Sequence, residues 1–314
     1  MSELTGVENL DRAFRRVESG NTMPGVDGVT LEFWRRDPRR QLEELGLDLG
    51  RGSYRPLPLL AYLTAGADGA PNPLFVPTIR DRTAQAAVIN VIEPILEAGF
   101  DEDPFPHRKT GCVRHAAKRL RALHGAGFTR LVKAGIASFF GSLDHGAILE
   151  RMGDLVDDDA VVSLVGRMLR AEIYDGERLF RLERGIPRGT VLAPTLGKLF
   201  LDTLAVTLSG RGWELIRYGH DLVVMARLTD ETAECLEITP EILAQLEYEV
   251  DPEDPRVVEF WRNLETLGFL FPGDGLLSPF DRTPPPRTLL HRPSTFDLEG
   301  YLRGRYRSGK SSDA

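Results

Sequence analysis

Cysteine is nearly absent: Cys112 and Cys235 are two in 314 residues. They lack the even, dense spacing of a disulfide scaffold and the paired spacing of a zinc site, which excludes both and points to a reducing compartment. Long apolar runs are missing too. No stretch approaches the ~18 uncharged apolar residues of a membrane span, and Met1 to Asn21 carries Glu, Asp and Arg where a signal peptide carries an apolar core. The expectation is a soluble, cytoplasmic protein with no membrane partner. Positive charge is in deficit, with 39 Lys and Arg against 47 Asp and Glu and a net charge of -8. Like charge repels phosphate, so any nucleic-acid site must be a local patch. What remains, 42% hydrophobic and 27% charged residues, is enough to build a substantial core in one large or two modest domains. Gly 31 and Pro 21 mean many turns, not a low-complexity chain.

Apolar spacing divides the chain into elements of mixed type. Leu10, Phe14 and Val17 recur at helical spacing, and Pro24, Gly25 and Gly28 then impose a turn. Residues 30–45 read as another helix, and 59–76 as a hairpin around Asp68-Gly69. Ala84, Ala87, Val88, Val91, Ile92 and Ile95 predict a helix over 83–96, and a further helix over 113–123 carries Arg114, Lys118 and Arg121 on one face. A buried strand is expected at 131–140, and Leu143-Asp-His145 opens a helix toward Met152, with Asp144 as its N-cap. The acidic run 154–159 is expected in solvent. Helices over 161–173 and 194–208, the second ending near Asp202, flank a strand pair at 177–182 and the loop Gly185-Ile-Pro-Arg-Gly189. Residues 213–218 and 222–226 read as a hairpin with polar residues at its tip, Gly219-His-Asp221. Past Gly273, proline, arginine and serine predict a partly disordered tail. There Arg303, Arg305, Arg307 and Lys310 alternate with Tyr301 and Tyr306, which suits solvation or a flexible RNA contact.

In order and spacing, the motifs over roughly 24–273 resemble the reverse transcriptases of group II introns and their bacterial relatives. Pro24-Gly-Val-Asp-Gly-Val-Thr30 is similar to that family's N-terminal signature, and Pro77-Thr-Ile-Arg-Asp-Arg-Thr-Ala-Gln85 with Ile92-Glu-Pro-Ile95 to its fingers motif. Arg108 stands at the arginine of a Phe-Arg-Pro element. Phe139-Phe140 with Leu143-Asp-His145 resembles the end of palm motif A, Gly185-Ile-Pro-Arg-Gly-Thr190 resembles motif B, and Leu267-Gly-Phe269 the element that closes the palm. Arg217-Tyr-Gly-His-Asp221 sits where the family has Arg-Tyr-Ala-Asp-Asp.

The resemblance implies an α+β class protein with reverse-transcriptase-like fingers and palm, an antiparallel palm sheet backed by helices, and a thumb reduced or absent. The implied divisions are a helical extension at 1–50, fingers at 51–130, palm at 131–273 and the tail at 274–314. Nucleotidyl transfer by such a palm uses two divalent ions held by clustered carboxylates. Here Gly135 occupies the motif A acid position and His220 the first acid position of motif C, leaving Asp221 alone. Asn72 replaces the expected fingers arginine, Asp254 the late palm lysine, and Arg188 the motif B glutamine. The implied function is an RNA-binding or scaffolding subunit that has lost catalysis and needs no cofactor. The alternative is a divergent RNA-directed DNA polymerase using Mg2+ or Mn2+, in a mobile-element or phage-defence system. The implied partners are RNA, an RNA/DNA hybrid, an active polymerase or a defence complex. Candidate contacts are Arg80, Arg82, Pro187 and Gly189 for substrate, and Arg108, Arg114, Lys118 and Arg121 for nucleic acid. Asp81 between Arg80 and Arg82 leaves an internal ion pair equally open.

Overall fold

The computed structural model describes residues 1–20, 23–65, 71–98, 119–120, 122–128, 130–135, 141, 143–218, 221–227, 256–259 and 297–306. The chain forms two compact units. One comprises Met1–Gly99, Phe140–Leu199 and Arg287–Ala314, the other Phe100–Phe139 and Phe200–Pro286.

The first unit opens with four helices: α1 (Ser2–Thr5), α2 (Val7–Glu18), α3 (Leu31–Arg36) and α4 (Pro38–Gly50). In α2, Leu10, Ala13, Phe14 and Val17 are buried, the i, i+3, i+4, i+7 stripe of a helix laid on a core. Helix α3 starts at Thr30, whose hydroxyl accepts from the Phe33 amide, and α4 at Asp37, whose carboxylate accepts from Arg40 with Pro38 in the first turn. Strands β1 (Leu59–Ala65) and β2 (Pro71–Val76) pair antiparallel, with Leu60 opposite Val76. Helix α5 (Ile79–Ala98) is the unit's axis: Ala84, Ala86, Ala87, Val88, Ile89 and Ile92 are all fully buried. It begins four residues ahead of the apolar periodicity. Thr78 is the reason, since its hydroxyl accepts from the Asp81 amide at 3.0 Å and donates to the Asp81 carboxylate at 2.7 Å, capping the first turn.

Helix α6 (His145–Gly153) is capped by Asp144, which accepts from the Ala147 amide at 3.0 Å, and α7 (Asp159–Leu169) is capped by Asp158. In the acidic run 154–159, Asp154, Asp157 and Asp159 are exposed as expected, while Asp158 accepts from two backbone amides and pairs with the Met1 amino group, and Val156 is buried. Two-residue strands β4 (Ile173–Tyr174) and β5 (Leu179–Phe180) complete a sheet of order β2-β1-β4-β5, with β4 parallel to β1. Residues read as tail also join this unit. Helix α9 (Leu298–Tyr306) buries Leu298 and Leu302 against Leu59, Phe75, Ala171, Ile173 and Leu182. One helical turn separates the two leucines, enough to seat a short amphipathic helix that the surrounding polar composition hides.

Helix α8 (Ala193–Ser209) leads into the second unit, where β6 (Glu214–Tyr218), β7 (Asp221–Ala226), β3 (Arg130–Gly135) and β8 (Arg256–Glu259) form an antiparallel sheet of order β6-β7-β3-β8. This is an α+β architecture. The thumb expectation and residues 274–296 lie outside the described residues.

Candidate functional site

The palm-like corner is set by strand register. Asp221 opens β7, opposite Tyr218 on β6 and opposite Gly135 at the end of β3. The two positions that the sequence singles out, 86 residues apart, are thus Cα partners on neighbouring strands. A two-ion site needs several carboxylate oxygens converging within a few ångströms. Gly135 has no side-chain donor and Asp221 brings a single carboxylate, so this pair does not fit two divalent ions. His220 lies outside the described residues. Among the described residues, no three His, Cys, Asp or Glu are grouped to hold a metal ion.

In the first unit, contacts link four sequence motifs in series. The Pro24–Gly28 turn lies flat on the start of α5: a Cβ on Gly25 would stand 2.6 Å from the Thr78 backbone, so only glycine permits the approach. Gly28 takes φ +66, the left-handed region that glycine adopts without strain. Tyr62 donates its hydroxyl to the Pro24 carbonyl at 3.1 Å, and Arg82 donates to the Met23 carbonyl. The motif B loop is tied on the other side. The Phe75 amide donates to the Arg188 carbonyl at 2.8 Å, Arg188 Nη2 reaches the Pro73 carbonyl at 3.1 Å, and the Val191 amide donates to Gln85 Oε1 at 3.0 Å. Gly189, at φ +101, would bring a Cβ within 2.7 Å of the Phe75 carbonyl oxygen. His145 Nε2 donates to the Gly185 carbonyl at 2.7 Å, joining motif A to motif B.

The side chains read as substrate contacts serve as ties within this assembly. Arg82 is only 3% exposed. Burial lowers its pKa, against the attraction of Asp27, Tyr62 and Asp81. Arg80 pairs with Asp48 and lies over the Tyr54 ring, 5.1 Å from its centroid. Asp81 accepts from the Tyr54 hydroxyl at 2.6 Å and the Leu57 amide at 3.2 Å, besides Thr78. Burial nevertheless raises the Asp81 pKa, with those hydrogen bonds and Arg80 opposing. Tyr54 is pushed well above its usual range by burial and by Asp81, so it stays a donor. Pro187 is buried, and its carbonyl accepts from the Thr190 hydroxyl at 2.9 Å; Gly189 is exposed. Gln85, 2% exposed, went unnoticed in the sequence as a separate feature because nothing local marks an amide that meets a loop 106 residues on. Arg108, Arg114, Lys118 and Arg121 lie outside the described residues.

A sheet in which Gly135 meets Asp221, together with a fingers-like sheet and helices, defines a polymerase-like α+β protein. Residues 68–270 match the family described as reverse transcriptase (RNA-dependent DNA polymerase), and the chain belongs to that family, in its group II intron-like branch. It is 27% identical over 187 residues to protein YkfC of Escherichia coli (strain K12), across 58% of this chain and 49% of that protein. It is 24% identical over 165 residues to the group II intron-encoded protein LtrA of Lactococcus lactis subsp. cremoris, across 52% of this chain and 27% of that protein. The chain therefore spans half or less of the length of these curated relatives. Among solved structures, an apo telomerase from Candida tropicalis truncated from its C-terminal domain is similar in fold. Its TM-score is 0.50 at 10% identity, over 68% of this chain and 54% of that one.

Proposed function

We propose that this chain is a reverse-transcriptase-family protein without nucleotidyl transfer activity, acting in the cytoplasm as an RNA-binding subunit that uses no divalent cofactor. The observation that carries the reading is Gly135, register partner of Asp221. A glycine at that position supplies no carboxylate oxygen to an ion, and two-ion chemistry relies on clustered carboxylates. Arg188, Asn72 and Asp254, in place of the expected glutamine, arginine and lysine, support the same reading. RNA binding is supported by the family and by the basic run Arg108, Arg114, Lys118 and Arg121, a local patch on an acidic chain.

Primer extension on RNA and DNA templates with Mg2+ or Mn2+ tests the loss of chemistry. The expected result is no incorporation. Incorporation that Asp221→Ala abolishes would establish the divergent-polymerase alternative instead. Fluorescence anisotropy with labelled RNA tests the binding. Four phosphate contacts to a single strand predict a loss of affinity of about 50-fold between 50 and 200 mM salt. Salt-insensitive binding, or binding unchanged after all four basic residues become glutamate, argues for a protein partner.

A further inference from the structure

We propose that Lys133 and Arg256, which strand register sets side by side on the face of the second-unit sheet that carries Asp221, bind a backbone phosphate of an RNA strand without a divalent ion. This rests on the RNA-binding reading and gives it a site, separate from the basic run at 108–121.

Register assigns each residue to a face. Partners across an antiparallel pair share a face, and successive residues of one strand alternate between the two faces. Gly135 is the partner of Asp221, and Asp221 of Tyr218, so these three form one row. Two residues back along β3, on the same face, comes Lys133. Its partner on β7 is Val223 and its partner on β8 is Arg256, and Ile216 of β6 completes that row through Val223. The third row of this face holds Glu214, Met225, Leu131 and Val258. The face therefore carries two bases on adjoining strands, one row from Asp221. Its other acid, Glu214, already pairs with Arg119 at 3.1 Å.

The opposite face treats charge differently. There Arg130 is the β8 partner of Glu259, so that rung holds its own counter-ion. At Lys133 and Arg256 the same two strands set like charges directly opposite each other, which is destabilising in a sheet. Asp221 stands diagonally from Lys133, about 7–8 Å away by ordinary sheet spacing, and one carboxylate balances one of the two cations. One positive charge is left over, and an anion relieves it.

Phosphate is the anion that this corner suits. Arg256 supplies a guanidinium, whose parallel N–H groups match two phosphate oxygens, and Lys133 an ammonium that acts as a point charge. Gly135 ends β3 with no side chain in the row beside them, and glycine in a strand is where another backbone can approach closely. A palm that works with metal neutralises phosphate with divalent ions held on carboxylates. Here fixed side-chain cations supply the positive charge, the role left open where Gly135 stands in place of the acid.

The test is fluorescence anisotropy of the full chain with a fluorescein-labelled single-stranded RNA in EDTA, at several salt concentrations, and again in Mg2+ at matched ionic strength. Binding is expected to be as tight in EDTA as in Mg2+. Lys133→Gln with Arg256→Gln is expected to weaken it about tenfold and to lower the salt slope by about 1, equally for different RNA sequences. Arg130→Gln with Arg217→Gln removes the same charge from the opposite face of the same sheet. That pair should leave affinity within about twofold, since a charge that meets no phosphate releases no counterion. Asp221→Asn removes the competing carboxylate and should tighten binding, whereas a metal-mediated contact would be weakened by the same change. If the double glutamine variant fails to fold, Arg256→Gln alone, on the edge strand β8, is expected to lower the slope by about 1. Unchanged affinity without Lys133 and Arg256, as when Glu253 and Asp254 before Arg256 neutralise the rung, overturns this site while RNA binding stands. So do equal losses from both glutamine pairs, a loss on Asp221→Asn, or a requirement for Mg2+. A wild-type chain that does not bind RNA overturns the functional reading, and this site with it.

Discussion

At Gly25 the missing side chain is what lets two motifs touch. A methyl group there meets the Thr78 backbone at 2.6 Å, and a backbone neighbour cannot swing aside as a side-chain tip does. Gly25→Ala is expected to destabilise the protein by about 1–3 kcal/mol, the usual cost of overpacking, as read from the urea midpoint; an unchanged midpoint would mean that the turn does not seat on α5. His145 offers a titratable contact in the same unit. Burial lowers its pKa below the ordinary 6.5, with the Gly185 hydrogen bond opposing. As pH falls below about 6.5 the unfolded chain takes up the proton before the folded one does. His145 therefore adds stability above that pH and loses it on the way down to its own lower pKa. Asp81 has the opposite sign and a lower range, because its raised pKa means that acidification relieves a buried charge. The melting temperature should accordingly fall between pH 7 and about 5.5, and this fall should be shallower in His145→Gln. Parallel profiles for the two proteins would remove His145 from the account.

At the scale of elements, strand register and one short helix carry the argument. Because β3 and β7 pair Gly135 with Asp221, adding acids as Gly135→Asp with His220→Asp concentrates like charge at one end of the sheet. Without metal that variant is expected to be less stable by about 1–3 kcal/mol, from repulsion and desolvation. Mg2+ or Mn2+ should recover the loss, since an ion that binds only the folded state stabilises it by mass action. Thermal melting with and without metal decides this. A variant that melts like wild type and ignores metal would mean that positions 135, 220 and 221 do not converge. Helix α9 makes a separate claim. Leu302 is 6% exposed within the cluster formed by β1, β2, β4 and neighbouring residues, and Leu302→Ala is expected to cost about 2–5 kcal/mol. Hydrogen exchange should then show faster exchange in the β4–β5 pair that α9 covers. Exchange unchanged there would mean that the helix contributes little to this sheet.

Across the whole molecule, charge and connectivity explain what was legible. The net charge of -8 already confined any RNA contact to a patch, and periodicity located most of α2, α5, α7 and α8 and the β1–β2 and β6–β7 hairpins. Motif order fixed the family, and it named Gly135 and Asp221 before their register was known. The start of α5 was misread because capping by Thr78 depends on a hydroxyl and not on an apolar period. Helix α9 escapes a reading of local spacing because, among the described residues, only Leu298 and Leu302 of it are buried apolar side chains, and their partners lie more than a hundred residues earlier in the chain. Local spacing, repeated over one or two turns or along a strand, is a property of consecutive residues, and it settled element type, while the order of the motifs carried fold class and family. Which arginine is buried and which is paired depends on contacts between distant segments. Arg80 and Arg82, two positions apart, look alike in the sequence. Folding alone gave Asp48 to the first, and backbone carbonyls and burial to the second.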